Sequence, residues 1–333
     1  MLRDTYDRPL KDLRISVTDR CSFRCVYCMP REVYDDHQYL ARSEILTYDE
    51  ITLVARAAAS LGVEKIRLTG GEPLLRRQLP VLVEMLSGID GIEDLAVTTN
   101  GQLLEAQLPG LVGAGLDRVT VSLDAMDESV HASMSDTDVP VSTILGSIRA
   151  AAEAGLGPIK VNTVVRRGWN EDQVIPIVEH FRHTGHTPRF IEYMDVGTTN
   201  GWVADDVVTS DDLIAMISER WPLEELPRNH PAEVARSFSF TDGAGDIGFI
   251  SSMSTPFCGD CSRLRLSADG SLFTCLFASS GHDFKAPLRE GATVGDIAGI
   301  ISDVWSVRED RYSELRGGVE LPDPKVEMSY IGG

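Results

Sequence analysis

Six short β-branched runs alternate with amphipathic stretches between Lys11 and about residue 220, and no other feature restricts the fold as tightly. The runs are LRISVT (13–18), KIRLT (65–69), DLAVTT (94–99), RVTVSL (118–123), IKVNTV (159–164) and RFIEYM (189–194). Between them lie helical patterns such as DEITLVARAAASLG (49–62) and PIVEHFRHTG (176–185), closed by glycine as helix C-termini favour. Strands separated by helices pair in parallel through crossovers, which predicts an α/β fold with an incomplete (β/α)6 TIM-like barrel over residues 1–222.

A parallel sheet buried on both faces reads as nearly continuous Val, Ile and Leu. Here polar residues recur at every second position: Lys65, Arg67 and Thr69 on one run, Thr120, Ser122 and Asp124 on another, Lys160 and Asn162 on a third. Successive strand residues face opposite sides, so each set projects from one face. With Ile66, Leu68, Val119, Val121 and Val161 packed under helices, the polar sets line the barrel interior. A lined interior means a cavity.

The 333 residues, 43% hydrophobic and 25% charged, suffice for a barrel plus a smaller domain. Past residue 222 the pattern changes: WPLEELPRNHPAE is loop-rich, short strands follow at SFSF (237–240) and DIGFI (246–250), and VGDIAGIISDVWSV reads as a last helix. These predict a C-terminal α+β domain over 223–318, carrying three further cysteines, and a flexible tail over 319–333 ending in Gly-Gly. The net charge of −20, from 31 basic and 51 acidic residues, argues against nucleic-acid and membrane partners. The first residues lack a leader-like apolar run, and no run approaches the roughly 18 residues of a membrane span, so a cytoplasmic location is expected. Thiols stay reduced there, and the six cysteines need an explanation other than disulfides.

Cys21, Cys25 and Cys28 fall in TDRCSFRCVYCMP, directly after the first run, where βα-barrel active sites sit. Soft thiolates so close together select an iron–sulfur cluster or zinc. Structural metal sites usually close with four ligands, whereas three thiolates on a cubane cluster leave one iron open. Cys258, Cys261 and Cys275 repeat the triplet in FCGDCSRLRLSADGSLFTC, and His282 leaves zinc open as a reading of that second set.

The spacing C-x3-C-x2-C with Tyr27 before the last cysteine, and Gly70-Gly71-Glu72-Pro73 after KIRLT, resemble the signatures of the radical S-adenosylmethionine enzymes. The whole chain is similar to one family among them, the GTP 3′,8-cyclases that open molybdenum cofactor biosynthesis. RLTGGEPLLR, TTNG, VSLDA, IKVNTV, FIEYMDVG, the second cysteine set and the terminal Gly-Gly follow its pattern in order. This resemblance implies a radical S-adenosylmethionine barrel, a C-terminal auxiliary-cluster domain and two [4Fe-4S] clusters. The first, on Cys21, Cys25 and Cys28, would chelate S-adenosylmethionine, with Gly71, Ser122, Met194 and the Tyr27 backbone completing the cofactor site. The second, on Cys258, Cys261 and Cys275, would bind guanine through its open iron. Substrate contacts are implied for Arg14, Lys65, Arg67, Thr98, Lys160, Arg189, Arg263 and Arg265, and catalytic roles for Arg263, Arg265, Gly332 and Gly333. The implied lyase reaction abstracts the ribose H3′ of GTP, joins C3′ to guanine C8 and reduces the product to (8S)-3′,8-cyclo-7,8-dihydroguanosine 5′-triphosphate. An electron donor and a downstream pterin-forming enzyme are implied partners, and a homodimer is left open.

The residues bear separately on the substrate. A triphosphate in so acidic a protein needs concentrated cations, and the seven arginines and lysines above come from separate segments yet point to one cavity in a barrel. Guanidinium forks match phosphate oxygens bidentately, and lysine adds point charge. The alternatives are a peptide-modifying enzyme of the same superfamily, whose substrate would not require those cations, and a non-catalytic metal-binding module. His180, His183 and His186 read as a helix end running into Gly185 rather than as metal ligands.

Overall fold

All six barrel runs fold as strands, within one or two residues of their expected bounds. They are β1 (Asp12–Ser16), β2 (Lys65–Thr69), β3 (Asp94–Thr99), β4 (Arg118–Ser122), β5 (Lys160–Val165) and β6 (Thr187–Glu192), in a computed structural model that describes residues 2–228, 230, 232–316 and 325–332. They pair in parallel and in sequence order. Crossover helices such as Tyr48–Ser60 and Leu79–Ser87 cover one face, against which Ile66, Leu68, Val119, Val121 and Val161 are buried in a single core. The helix Tyr48–Ser60 starts at a capping box, with Thr47 and Glu50 satisfying each other's backbone N–H groups.

Among the described residues past 222, every strand joins the barrel sheet. Their strands are β7 (Leu223–Glu225), β8 (Arg236–Phe240), β9 (Asp246–Ile250), β10 (Arg263–Leu266), β11 (Ser271–Phe273) and β12 (His282–Asp283). β9 adds in parallel beside β6 and β10 in parallel beside β1, so eight successive strands run parallel. Antiparallel β8 and β7 extend one edge and β11 and β12 the other, giving a twelve-stranded sheet whose ends do not meet. One cavity touches β1–β6, β9 and β10, so the sheet curls into an open barrel. The helix Val294–Ser306 returns to pack on Tyr48–Ser60.

Two expectations change. The helix expected to reach Gly185 runs Val174–Phe181. Arg182 leaves it to pair with Asp242 and to stack on Phe240 at 4.5 Å, while the His183 N–H donates to the Ala244 carbonyl at 2.7 Å. Contacts with the β8–β9 turn replace the last helical turn. The tail expected to be flexible is packed over its described part: Met328–Ile331 is a short helix with Ser329 and Ile331 buried. No helix among the described residues is long and apolar enough to cross a membrane.

Candidate active site

Parallel pairing places residues of like parity side by side, and the register turns the polar strand positions into a continuous lining. Arg14 of β1 stands between Arg67 of β2 and Arg265 of β10, and Asp12 between Lys65 and Arg263. Thr98 pairs with Thr120, Thr120 with Lys160, and Asn162 with Arg189. All these side chains line a cavity of about 560 Å³, within the usual range for a small-molecule site. Both cysteine triplets, Tyr27, Gly71, Ser122 and Met194 line the same space.

The first triplet sits in the loop after β1. The N–H groups of Cys28 and Met29 both donate to the Cys25 carbonyl at 2.9 Å, and the Arg24 and Val26 amides donate to the carbonyls of Ser135 and Met134 at 3.0 Å. The loop after β2 lies directly against it: the Gly71 N–H donates to Thr18 and the Glu72 N–H to Arg20, each at 2.8 Å. A Cβ on Gly71 would strike the Arg20 carbonyl, which explains glycine there. The Tyr27 hydroxyl donates to Asp124 at 2.7 Å, tying the cysteine loop to the end of β4. Cys258 and Cys261 precede β10 and Cys275 follows β11, so the hairpin between them carries all three thiols to the cavity.

All six thiols are free. Burial pushes the Cys21 thiol up to about 11 and raises Cys25 and Cys28 well above the usual thiol range. Burial also pushes Cys275 up to about 12. Cys261 differs: burial would raise it, but Arg263 and Arg308 outweigh burial and bring it down to about 6. No three His, Cys, Asp or Glu side chains among the described residues converge on a point that one ion could bind. Zinc, with bonds of about 2.3 Å to sulfur, demands such convergence. His282 lies exposed on β12 and does not line the cavity, so the zinc reading of the second set loses its fourth ligand. Soft thiolates such as these three favour an iron–sulfur cluster or zinc by their chemistry.

The cations press on one another. Burial, then Arg265 and Arg263, hold Arg14 well below its usual value, and burial brings Arg189 and Arg265 down to about 10. Lys160 falls to about 7, through burial and then the charges of Arg189 and Arg118. Arg67 donates to the hydroxyls of Thr98 and Thr120 at 2.9 and 3.1 Å. Asp94 offsets part of this charge through Lys65 and Arg118. The tail reaches this ring: Arg265 donates to the Gly332 carbonyl, and a Cβ on Gly332 would collide with Thr69. Gly333 lies outside the described residues.

Sequence reasoning missed three residues and the partner of a fourth. Arg118 lines the cavity and shares Asp94 with Lys65; its Nε donates to Asp94 at 2.9 Å. Its parity with Thr120 and Ser122 was the available signal. Asp124 was placed on the cavity but not as the partner of Tyr27. Buried Glu192 accepts from the N–H groups of Ser210, Met253 and Ser254 at 2.7, 2.7 and 2.8 Å, pinning the end of β6 just before Met194. Glu327 accepts from the Thr198 N–H and the Thr199 hydroxyl at 2.8 and 2.9 Å. No local pattern marks either glutamate.

Two sequence profiles match the chain, the Radical SAM superfamily over residues 15–181 and Molybdenum Cofactor Synthesis C over residues 186–314. The fold is similar to that of Streptococcus suis SuiB bound to S-adenosylmethionine, with a TM-score of 0.62 at 15% identity over 93% of this chain and 68% of that one. Fold and site thus define a radical S-adenosylmethionine protein, a class that works with S-adenosylmethionine and a [4Fe-4S] cluster. The chain is 52% identical to a GTP 3′,8-cyclase of Xanthomonas axonopodis pv. citri, over 100% of this chain and 99% of the relative. It is 49% identical to one of Acidothermus cellulolyticus with the same coverage. The chain belongs to the GTP 3′,8-cyclase family.

Proposed function

We propose that this protein converts GTP to (8S)-3′,8-cyclo-7,8-dihydroguanosine 5′-triphosphate, the first step of molybdenum cofactor biosynthesis. The observation that carries the reading is one cavity lined by two three-thiol sets and a ring of buried cations. Cys21, Cys25 and Cys28 hold one [4Fe-4S] cluster, and Cys258, Cys261 and Cys275 a second. When bound, the first cluster with S-adenosylmethionine supplies one-electron cleavage and a hydrogen-abstracting carbon radical, and the second an open iron for guanine. The protein's share is to bind, orient and exclude water.

Gly71, the Tyr27 backbone, Ser122 and Met194 hold S-adenosylmethionine beside the first triplet. Arg14, Lys65, Arg67, Lys160 and Arg189 take the triphosphate, with Thr98 positioning Arg67, and Arg118 joins them. Arg263 and Arg265 lie between the phosphate region and the second triplet, and Gly332 completes the chamber beside Thr69, with Gly333 sharing its role in turnover. No buried carboxylate or histidine is assigned as a general base. An electron donor and a pterin-forming enzyme that accepts the product are the expected partners, in the cytoplasm.

Anaerobic reconstitution followed by dithionite, S-adenosylmethionine and GTP tests the reading. The expected products are 5′-deoxyadenosine and a cyclised nucleotide, formed together. Deoxyadenosine formation that ignores GTP would remove the substrate assignment. Cys275→Ser should spare S-adenosylmethionine binding and weaken GTP binding; the opposite result would exchange the roles of the two triplets.

A further inference from the structure

Against the Cys258–Cys261 turn packs an ionic set drawn from the two ends of the chain. The side chains of Asp4, Arg8 and Arg308 are exposed by only 0%, 1% and 2%. Asp4 bridges the arginines, at 2.6 Å from Arg8 Nε and 3.3 Å from Arg308 Nη1. Each arginine then reaches a cysteine carbonyl. Arg8 Nη1 donates to Cys258 at 2.8 Å and Arg308 Nη1 to Cys261 at 2.7 Å. The Trp305 ring lies under the Arg308 guanidinium at 4.6 Å, and its Nε1–H donates to the Arg8 carbonyl at 3.3 Å.

We infer that Arg308, coupled to Arg8 through Asp4, is the positioning residue of the second triplet: it fixes the Cys258–Cys261 turn and stabilises negative charge on that site. The inference rests on the second triplet holding a cluster, as proposed above.

Stability alone does not account for the set. A desolvated ion pair is often matched or exceeded by apolar packing of similar volume, so two arginines on one aspartate are a costly way to fill this space. Arg8 Nη2 is buried without a hydrogen-bond partner among the described residues, which adds to the cost. Among Asp4, Arg8 and Arg308 the charge is net positive; Asp310, 3.3 Å from Arg308 Nε, is the further acid in contact, and its side chain is 32% exposed. Adding an electron to a cluster adds negative charge, so a fixed buried cation favours the reduced state.

The test uses full-length protein reconstituted anaerobically, with iron counted and each cluster's midpoint followed by electron paramagnetic resonance in a redox titration. Arg308→Gln should lower the second cluster's midpoint by at least about tenfold in the reduction equilibrium, about 59 mV for one electron, and leave the first cluster's midpoint in place. Asp4→Asn removes the negative member and should move the same midpoint upward. Arg308→Lys keeps the charge but loses the forked donation, so its shift should be smaller than that of Arg308→Gln. Loss of half the iron in Arg308→Gln, restored in Arg308→Lys, also supports the role. If both Arg308 variants lose iron, the sign of the Asp4→Asn shift decides. Full iron with unchanged midpoints in Arg308→Gln and Asp4→Asn, or shifts of the same sign, overturns the inference. A wild-type protein that holds only one cluster overturns the two-cluster reading itself.

Discussion

Lys160 is a lysine whose surroundings bring it to about 7, so in the ligand-free protein at pH 8 it is mostly neutral. A bound triphosphate reverses the balance, because an adjacent anion raises an ammonium pKa. GTP binding at pH 8 should therefore take up close to one proton, a value approached as Lys160 regains its charge. Calorimetry in buffers of different ionisation enthalpy reads that uptake, and Lys160→Met should abolish it. In folding the same shift has a definite sign. The unfolded lysine stays protonated to about 10.5 and the folded one only to about 7, so this group's contribution raises stability as pH climbs through that window. Glu72 works oppositely. Burial lifts it to about 7 from 4.5, so its contribution declines as pH rises from 4.5 to 7. At Gly71 the constraint is steric: Gly71→Ala must displace the Arg20 carbonyl, and a cost of about 1–3 kcal/mol in denaturant unfolding is expected, with weaker S-adenosylmethionine binding.

At the scale of elements, the short helix Met328–Ile331 brings Met328 to the cavity and the Gly332 carbonyl to Arg265. Glu327 anchors its start to Thr198 and Thr199, the Tyr330 hydroxyl donates to Asp269 at 2.6 Å, and the Tyr34 and Ser329 hydroxyls meet at 3.0 Å. A hydrogen bond to a carboxylate contributes roughly 1.5–3 kcal/mol, so removing the Glu327 carboxylate should open the tail about tenfold or more often. Hydrogen exchange over 328–332 in Glu327→Ala measures this, and unchanged protection would mean that the two tyrosines suffice. Elements also mark where reading from sequence succeeded and failed. β2 and β3 fall on KIRLT and DLAVTT because β-branched runs bounded by turns need little else. The end of Val174–Phe181 was misplaced because Arg182 answers to Asp242, sixty positions on, rather than to its own helix. The polar lining was legible since strand parity is local, and Arg118 belonged to the same pattern. Glu192 and Glu327 were not legible, because their partners are loop amides and hydroxyls brought close only by folding.

For the whole molecule, the buried cations lower one another's pKa values, so a fitting polyanion should stabilise the fold. Inorganic tripolyphosphate at about 100 times its Kd should add about 2.7 kcal/mol and raise the Tm measurably, with no rise in an Arg67→Ala, Lys160→Ala double variant. An equal rise in that variant would place the anion elsewhere. The sequence by itself determined the βα order, the parity that turns polar residues inward, and two thiol triplets at spacings that a cluster accepts. Each of these is set by strand geometry or by a few covalent steps along the chain. Only the tertiary structure decided that strands past residue 222 would extend both edges of the barrel sheet and bring the second triplet to the cavity that the first lines. The same holds for Asp4 and Arg308, 304 positions apart, which meet against one cysteine turn. Contacts at such separation are selected by packing and charge among all segments at once, and no local period encodes them.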